Sequence, residues 1–215
     1  MGFLIIIFMS KLVLNLAIDV SGNPKNEVYV GLVSIKTDKI NKITSLFKKE
    51  FPRVYSGKHK GAKLKPSDLK KIIEFLDKNN VHMYSNCISK SDWGYFKKNY
   101  PNKSNFFERI YALAYFGLIH SFLFKNRTQN LVVCKENYLN IDATLRYFQY
   151  LAESNNYLII SSVGYAGSTF LIKLADLVAS AHRKLDNKTL SSFKRYRVLK
   201  LGDLDNKFIE RIFKK

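Results

Sequence analysis

The chain has 215 residues, 47% of them hydrophobic and 14% aromatic, which is enough to bury a core without disulfides or structural metals. Its 36 Lys and Arg against 17 Asp and Glu give a formal net charge of +19. An excess of this size indicates a polyanionic partner, above all nucleic acid, and less often an anionic membrane surface or an acidic protein. A lysine-rich genome with solvated lysines is the alternative explanation.

The start of the chain predicts a pair of neighbouring strands. The apolar run at residues 2–8 lacks a basic flank and a cleavage site and is too short to span a bilayer. We therefore expect either an extra edge strand or an upstream start codon with Met9 as the true start. Residues 12–18 predict a buried strand that ends at Asp19, where polar residues break it, and a second strand follows at residues 28–35.

The remainder alternates helices with strands. Helices are predicted at residues 38–51, 66–79, 105–125, 142–154 and 168–184, and strands at residues 81–88, 130–134 and 157–163. This order indicates an α/β protein with one mixed central sheet flanked by helices. We expect a single domain over residues 1–215, with a core at about 10–185 and a basic, amphipathic extension at 190–215.

The acidic residues are few enough to sort by exclusion. Most lie among lysines on helix faces, at caps or in turns, where ion pairing or capping explains them. Five stand in apolar surroundings: Asp19, Glu108, Glu136, Asp142 and Asp176. Glu108 is expected to pair with a base, and Asp142 to cap a helix. For Asp176 the alternative to a functional role is a salt bridge to Lys173 or Arg183.

Asp19, Asp176 and Glu136 therefore form the candidate catalytic and metal-binding constellation. Carboxylate oxygens are the ligands that Mg²⁺ or Mn²⁺ prefers, and such ions support phosphodiester hydrolysis. The chain has no G-x-S-x-G, P-loop or G-x-G-x-x-G pattern. Cys87 and Cys134 form no C-x-x-C, which favours reduced thiols in a cytoplasmic protein, and a buried thiol is the simplest role for Cys134.

Several short motifs, in their order along the chain, resemble an RNase H-like group of proteins of mostly unknown function. They are Ile-Asp-Val-Ser-Gly at 18–22, a Lys- and Gly-rich loop at 58–63, an aromatic helix with Tyr111, and Lys-Leu-Ala-Asp-Leu-Val-Ala at 173–179. The likeness covers about residues 10–185. It implies an RNase H-like fold with a metal site in which Asp19 is central and Asp176 completes the ligand set.

The chain departs from that group in three places. The fourth strand of the group usually ends in Asp, whereas this chain has Cys134 there, with Glu136 as a possible substitute. The acid that often precedes the Lys-Gly loop is absent, and Lys173 replaces the usual Gln. The expectation of an RNase H-like fold survives these changes, whereas the expectation of catalytic activity is weakened by them.

The basic residues cluster in ways that suit nucleic acid. Lys58, Lys60 and Lys63 are expected to hold the phosphate backbone, because the glycines of their loop allow close backbone approach. Lys97 and Lys98 are flanked by aromatic residues on both sides, a combination that binds single strands. The alternative for those aromatic residues is a turn that faces the core.

We therefore expect a cytoplasmic, divalent-metal-dependent nuclease that hydrolyses DNA or RNA, with no membrane association. The alternatives are a catalytically degenerate RNase H-like protein that only binds nucleic acid, and a protein-interaction role with incidental basicity.

Overall fold

The sheet is the centre of the molecule. A computed structural model describes residues 14–22, 26–58, 60–121, 128–165 and 167–214, and the apolar N-terminal run with its two explanations lies outside them. Within these ranges six strands form one sheet in the order β5-β4-β1-β2-β3-β6. The strands are β1 (Leu14–Gly22), β2 (Val28–Lys36), β3 (His82–Ile88), β4 (Thr128–Cys134), β5 (Leu158–Gly164) and β6 (Tyr196–Lys200). β1, β2 and β3 pair antiparallel, whereas β4, β5 and β6 join through parallel pairs, so the expected mixed sheet is confirmed.

Helices cover both faces of this sheet. One face packs with α1 (Ile40–Glu50), α2 (Pro52–Tyr55), α3 (Pro66–Lys78), α7 (Phe170–Lys184) and α8 (Asn187–Ser191). The other packs with α4 (Lys90–Asn99), α5 (Phe106–His120), α6 (Ile141–Glu153) and α9 (Asn206–Lys214). Each face therefore has its own hydrophobic core. Among the described helices, none is both long and apolar enough to cross a bilayer.

Strand β1 serves both cores because its side chains alternate between the faces. Leu16 and Ile18 belong to the core under α5, and Ala17 belongs to the core under α7. The expected break at Asp19 is wrong, since β1 continues to Gly22 by pairing with β2. Asp19 consequently lies within the strand, on the face that α7 covers.

Helix α7 approaches the sheet unusually closely at Gly31 in β2. A Cβ atom at Gly31 would lie 2.4 Å from the carbonyl oxygen of Ala175 and 2.5 Å from the nitrogen of Ala179. The expectation that the small residues Ala175 and Ala179 permit close packing is confirmed, and Gly31 is the matching small residue on the sheet. Because Gly31 pairs with Asp19 across the strands, the close approach occurs at the level of that carboxylate.

Three local features differ from the sequence expectations. The aromatic segment at residues 90–99 is helix α4 rather than a turn, with Ser89 and Asp92 forming a capping box at its start. The side chain that caps α6 is Asn140, and Asp142 lies in the first turn. The C-terminal extension supplies β6, which pairs with β3 at the edge of the sheet. The single-domain organisation stays a prediction.

Substituting Gly31→Ala should destabilise the protein by at least about 2 kcal/mol, because the new methyl group overlaps backbone atoms of α7 that cannot move independently. Urea unfolding measures the difference. The matched control is Gly94→Ala in α4, where a Cβ atom would meet nothing within 4 Å. That change should be neutral or stabilise by up to about 1 kcal/mol, because alanine favours helix. Equal effects at the two glycines would contradict the close-packing argument.

Candidate metal centre

Asp19 lies where two parallel strands part. The register between β1 and β4 stops at Ile18 and Val133, one residue before Asp19. Because parallel strands end at the same edge of a sheet, the end of β4 comes close to this carboxylate. Asp19 is only 6% exposed, and the backbone amide of Val20 donates a 2.7 Å hydrogen bond to its Oδ1. Ser21 lies two residues further on the same face, 3.4 Å from the Ser180 hydroxyl of α7.

Asp176 projects from α7 into the same region and binds the Lys- and Gly-rich loop at residues 58–63, called the basic loop from here on. The amide of Gly61 donates to its Oδ2 at 2.9 Å, and the Ser180 hydroxyl donates to its Oδ1 at 3.4 Å. None of the described ion pairs joins Asp176 to Lys173 or Arg183, so the salt-bridge alternative is wrong. Lys173 instead donates to the carbonyl oxygen of Tyr55 at 2.8 Å. Asp176 therefore links the helix to the segment that carries the lysines.

Cys134 and Glu136, at the end of β4, complete a compact group with Asp19. One ligand atom from each of the three residues lies within 4.8 Å of the other two. Cys134 is 1% exposed, as expected for a buried thiol, and both cysteines are free. The sequence names Glu136 as a substitute for the missing acid, but in the structure the thiol remains inside the group beside it.

These acids open onto a cleft of about 270 Å³. Its lining includes Asp19, Glu136, Asp176, Lys60, Lys173 and the backbone of the basic loop. The three carboxylates predicted from the sequence are thus brought to one cavity. Of the loop lysines, Lys60 lines the cleft, whereas Lys58 and Lys63 are exposed on either side of it in the chain.

Burial and mutual repulsion disturb the titration of all three acids. Burial raises the pKa of Asp19 to about 8, and the charge of Asp176 adds to this effect. Burial and Asp176 likewise raise the pKa of Glu136 to about 7, whereas the Lys60 ammonium opposes the rise. The pKa of Asp176 is raised by burial, and its hydrogen bonds from Gly61 and Ser180 limit the change. The cleft therefore disfavours three negative charges when no cation is bound.

The basic loop is fastened to α7 along one side of the helix. Lys184 donates 2.7 Å hydrogen bonds to the carbonyl oxygens of Ala62 and Leu64. Gly61 fits because it has no side chain, since a Cβ atom there would lie 2.5 Å from the Ser180 hydroxyl oxygen. The loop backbone is consequently held at the mouth of the cleft.

The other predicted lysines lie apart from the cleft lining. Lys97 and Lys98 are exposed on α4. The neighbouring aromatic rings face the core: Phe96 is 2% exposed, and Tyr100 stacks on Phe213 with ring centroids 4.3 Å apart. The core-facing alternative therefore describes those rings, with the exception of the exposed Tyr95.

A second basic region lies at the opposite end of β1 and β2. It surrounds a cavity of about 710 Å³ whose lining includes Lys36, Lys39, Lys194, Arg195 and Arg197. Leu14 pairs with Lys36 at this end, whereas Gly22 pairs with Val28 near the acids. Lys194, Arg195 and Arg197 of the basic C-terminal extension therefore do not join the candidate metal centre.

Comparison with known proteins identifies the architecture. No protein-family model and no curated protein matches the chain. Ribonuclease H2 from Pyrococcus horikoshii OT3 aligns with a TM-score of 0.55 and 14% identity over 83% of this chain and 76% of that chain. RNase HII of Archaeoglobus fulgidus, from its complex with PCNA, aligns with a TM-score of 0.53 and 14% identity over 83% and 75% of the two chains. The chain has an RNase H-like fold.

A third structure with this RNase H-like fold contains a metal. Bst-RNase HIII in complex with Mn²⁺ aligns with a TM-score of 0.55 and 13% identity over 84% of this chain and 55% of that chain. The present chain thus spans little more than half of Bst-RNase HIII. At identities this low, the likeness establishes the fold and leaves the chemistry to the residues of this chain.

The donor set of this RNase H-like cleft fits a divalent cation. Asp19, Glu136 and Asp176 supply the carboxylate oxygens that such ions bind. A cation would also stabilise the ionised forms of Asp19 and Glu136, whose pKa values are raised by burial and by the charge of Asp176. Cys134 is the donor that departs from an all-oxygen site.

Replacing Asp19 should change stability in a pH-dependent way in metal-free protein. The pKa of this acid rises from 3.8 to about 8 on folding, so the native state retains a proton that the unfolded chain loses. The contribution of Asp19 to the free energy of unfolding therefore falls as the pH rises through that window. The free energy of unfolding of Asp19→Asn should match that of the wild type near pH 3.8 and exceed it by a few kcal/mol near pH 8. Each pKa unit is worth about 1.4 kcal/mol.

Urea unfolding in the presence of a chelator, at acidic and mildly alkaline pH, measures this difference. The exposed Asp38 provides the control, because Asp38→Asn removes the same charge from the surface. A stability difference for Asp19→Asn that is the same at every pH would contradict the burial of an ionisable group as its cause.

Proposed function

We propose that the chain is a divalent-metal-dependent nuclease that hydrolyses phosphodiester bonds of DNA or RNA. The observation that carries this proposal is the meeting of Asp19, Asp176 and Glu136 in one cleft beside Lys60. The cleft belongs to a fold that the chain shares with ribonucleases H2 and HIII. A carboxylate cleft with a cationic edge suits a substrate whose backbone is a row of phosphates.

In the proposed mechanism Asp19 is the central ligand, because it belongs to the compact group with Glu136 and lines the same cleft as Asp176. Glu136 approaches from the end of β4, and Asp176 approaches from α7. When bound, Mg²⁺ or Mn²⁺ supplies activation of water and stabilisation of the leaving oxygen. The chain positions Asp19 on a strand and Asp176 on a helix, which hold these two carboxylates more precisely than loops do.

The basic loop would hold the substrate beside these acids. Lys60 lines the cleft, and its charge limits the rise that burial causes in the pKa of Glu136 and Asp176. Lys58 and Lys63 would extend the cationic surface along the bound nucleic acid. Lys97 and Lys98 are proposed as a more distant contact. The hydrogen bonds of α7 to the loop backbone keep this surface in place before nucleic acid binds.

The second candidate function is nucleic-acid binding without catalysis, in a degenerate RNase H-like site. One observation favours it: the strand end that usually carries an acid carries Cys134, which is a poor ligand for Mg²⁺. The same basic surface would serve both functions. We place both in the cytoplasm, because the two thiols are free.

Asp19→Asn and Asp176→Asn should each lower cleavage of end-labelled DNA or RNA by at least about a hundredfold, because ligand loss exceeds the effect of losing an outer-shell partner. The assay includes single and double strands with Mg²⁺, Mn²⁺ or Zn²⁺. Asp38→Asn should cut at the wild-type rate, and circular dichroism confirms that each variant is folded. Binding without cleavage in every metal would reject the nuclease and support the degenerate site.

Replacing Lys58, Lys60 and Lys63 together by alanine should weaken nucleic-acid binding and reduce its salt dependence. Each phosphate contact contributes about 0.7–0.9 to the slope of log K against log salt, so the slope should fall by about 2–3. The control replaces Lys36, Lys39 and Lys194, which removes the same charge from the opposite end of the sheet. Equal losses in both triple variants would show that net charge alone, rather than the loop, binds the substrate.

A further inference from the structure

The compact group at the end of β4 is not built like an all-oxygen metal site. The Cys134 thiol, the Asp19 carboxylate and the Glu136 carboxylate have ligand atoms within 4.8 Å of one another. Donors around a tetrahedral ion of the Zn²⁺ class lie roughly 3.5 Å apart, given bond lengths of about 2.0–2.3 Å. Side-chain rotations that move the ligand atoms by about 1 Å would therefore allow all three to bind one ion.

The Cys134 thiol donates a hydrogen bond to the carboxylate of Asp19, its proposed co-ligand, and otherwise makes a weak contact in the described part of the chain. Its hydrogen bond to a backbone acceptor is a long one, to the carbonyl oxygen of Lys135 at 3.9 Å. The residue is 1% exposed and belongs to the core under α7, and its sulfur also lies within 4.8 Å of carboxylate oxygens of Asp19 and Glu136. A sulfur atom in this place is available as a ligand.

The identity of that ligand bears on which metal the site accepts. Mg²⁺ requires a nearly octahedral shell of oxygen atoms and keeps several waters, for which a buried sulfur leaves little room. Thiolates bind Zn²⁺ and softer ions, and mixed sulfur and oxygen sets exclude hard ions by ligand type. Three protein ligands also leave a fourth position open toward the cleft, as in catalytic zinc sites.

We infer that this centre selects a thiophilic divalent cation of the Zn²⁺ class over Mg²⁺, with Cys134 as a ligand beside Asp19 and Glu136. The inference deepens the proposed function, because it rests on the same metal centre and names its metal. Asp176, whose carboxylate oxygens already accept from Gly61 and Ser180, lines the same cleft.

Titration of the metal-free full chain with Cd²⁺ or Co²⁺ tests sulfur ligation directly. Thiolate binding produces a ligand-to-metal charge-transfer band in the ultraviolet, a readout that does not depend on nuclease activity. The band should appear in the wild type and disappear in Cys134→Ser. Cys87→Ser is the matched control, because Cys87 is the other cysteine of the chain, and this variant should keep the band. Zn²⁺ should displace the probe, whereas roughly a hundredfold excess of Mg²⁺ should not.

Cys134→Asp should reverse the preference. Restoring an oxygen donor should raise the affinity for Mn²⁺ or Mg²⁺ by at least about tenfold and lower that for Cd²⁺, as calorimetry measures. Asp19→Asn keeps the thiol but removes the central ligand, so it should weaken Cd²⁺ binding by a similar factor. This second variant tests the site even if substitutions at Cys134 prevent folding.

The possible failures are distinguishable. A band that persists in Cys134→Ser, or displacement of Cd²⁺ by Mg²⁺ in the wild type, would overturn the inference. Wild-type protein that binds Mg²⁺ without a thiolate band and cuts nucleic acid would overturn the inference and keep the proposed nuclease. Failure of every divalent ion to bind the wild type would reject both.

Discussion

The close approach of α7 to the central hairpin is the constraint on which the site depends. Gly31 leaves room for the backbone of Ala175 and Ala179, and a single additional carbon atom would separate the helix from the sheet. Asp176 follows Ala175 directly, and Asp19 is paired with Gly31. The distance between the two acids is therefore set by backbone contact, which is far stiffer than contact between flexible side chains.

The same helix also organises the basic loop. Lys173, Asp176 and Lys184 lie along one side of α7 and bind the backbone of the segment from Tyr55 to residue 64. A cluster of acids and a cluster of bases, which would otherwise be independent features of the surface, are thus joined through one element. The chain of +19 net charge keeps its few buried acids next to a cationic edge, an arrangement that suits both a metal ion and a phosphate.

The sequence predicts the fold and the convergence of Asp19, Asp176 and Glu136 better than it predicts their surroundings. Apolar periodicity identifies the main strands and helices because their cores are strongly patterned. It ends β1 at Asp19, since hydrophobicity cannot show that polar residues up to Gly22 are paired with β2. It misses β6, whose short basic strand lies at an edge and has mostly exposed side chains. Gly31 carries no recognisable signal, because its role arises only from contact with residues distant in the chain.

The fastening of the loop to α7 also bears on how the protein is made. Gly61 and Asp176 are 115 residues apart, so the loop leaves the ribosome long before its partner. Until synthesis passes Lys184, the hairpin face with Ala17 and Val33 lacks α7, and the carboxylates of Asp19 and Asp176 cannot meet. Completion of α7 is then the step that assembles the cleft.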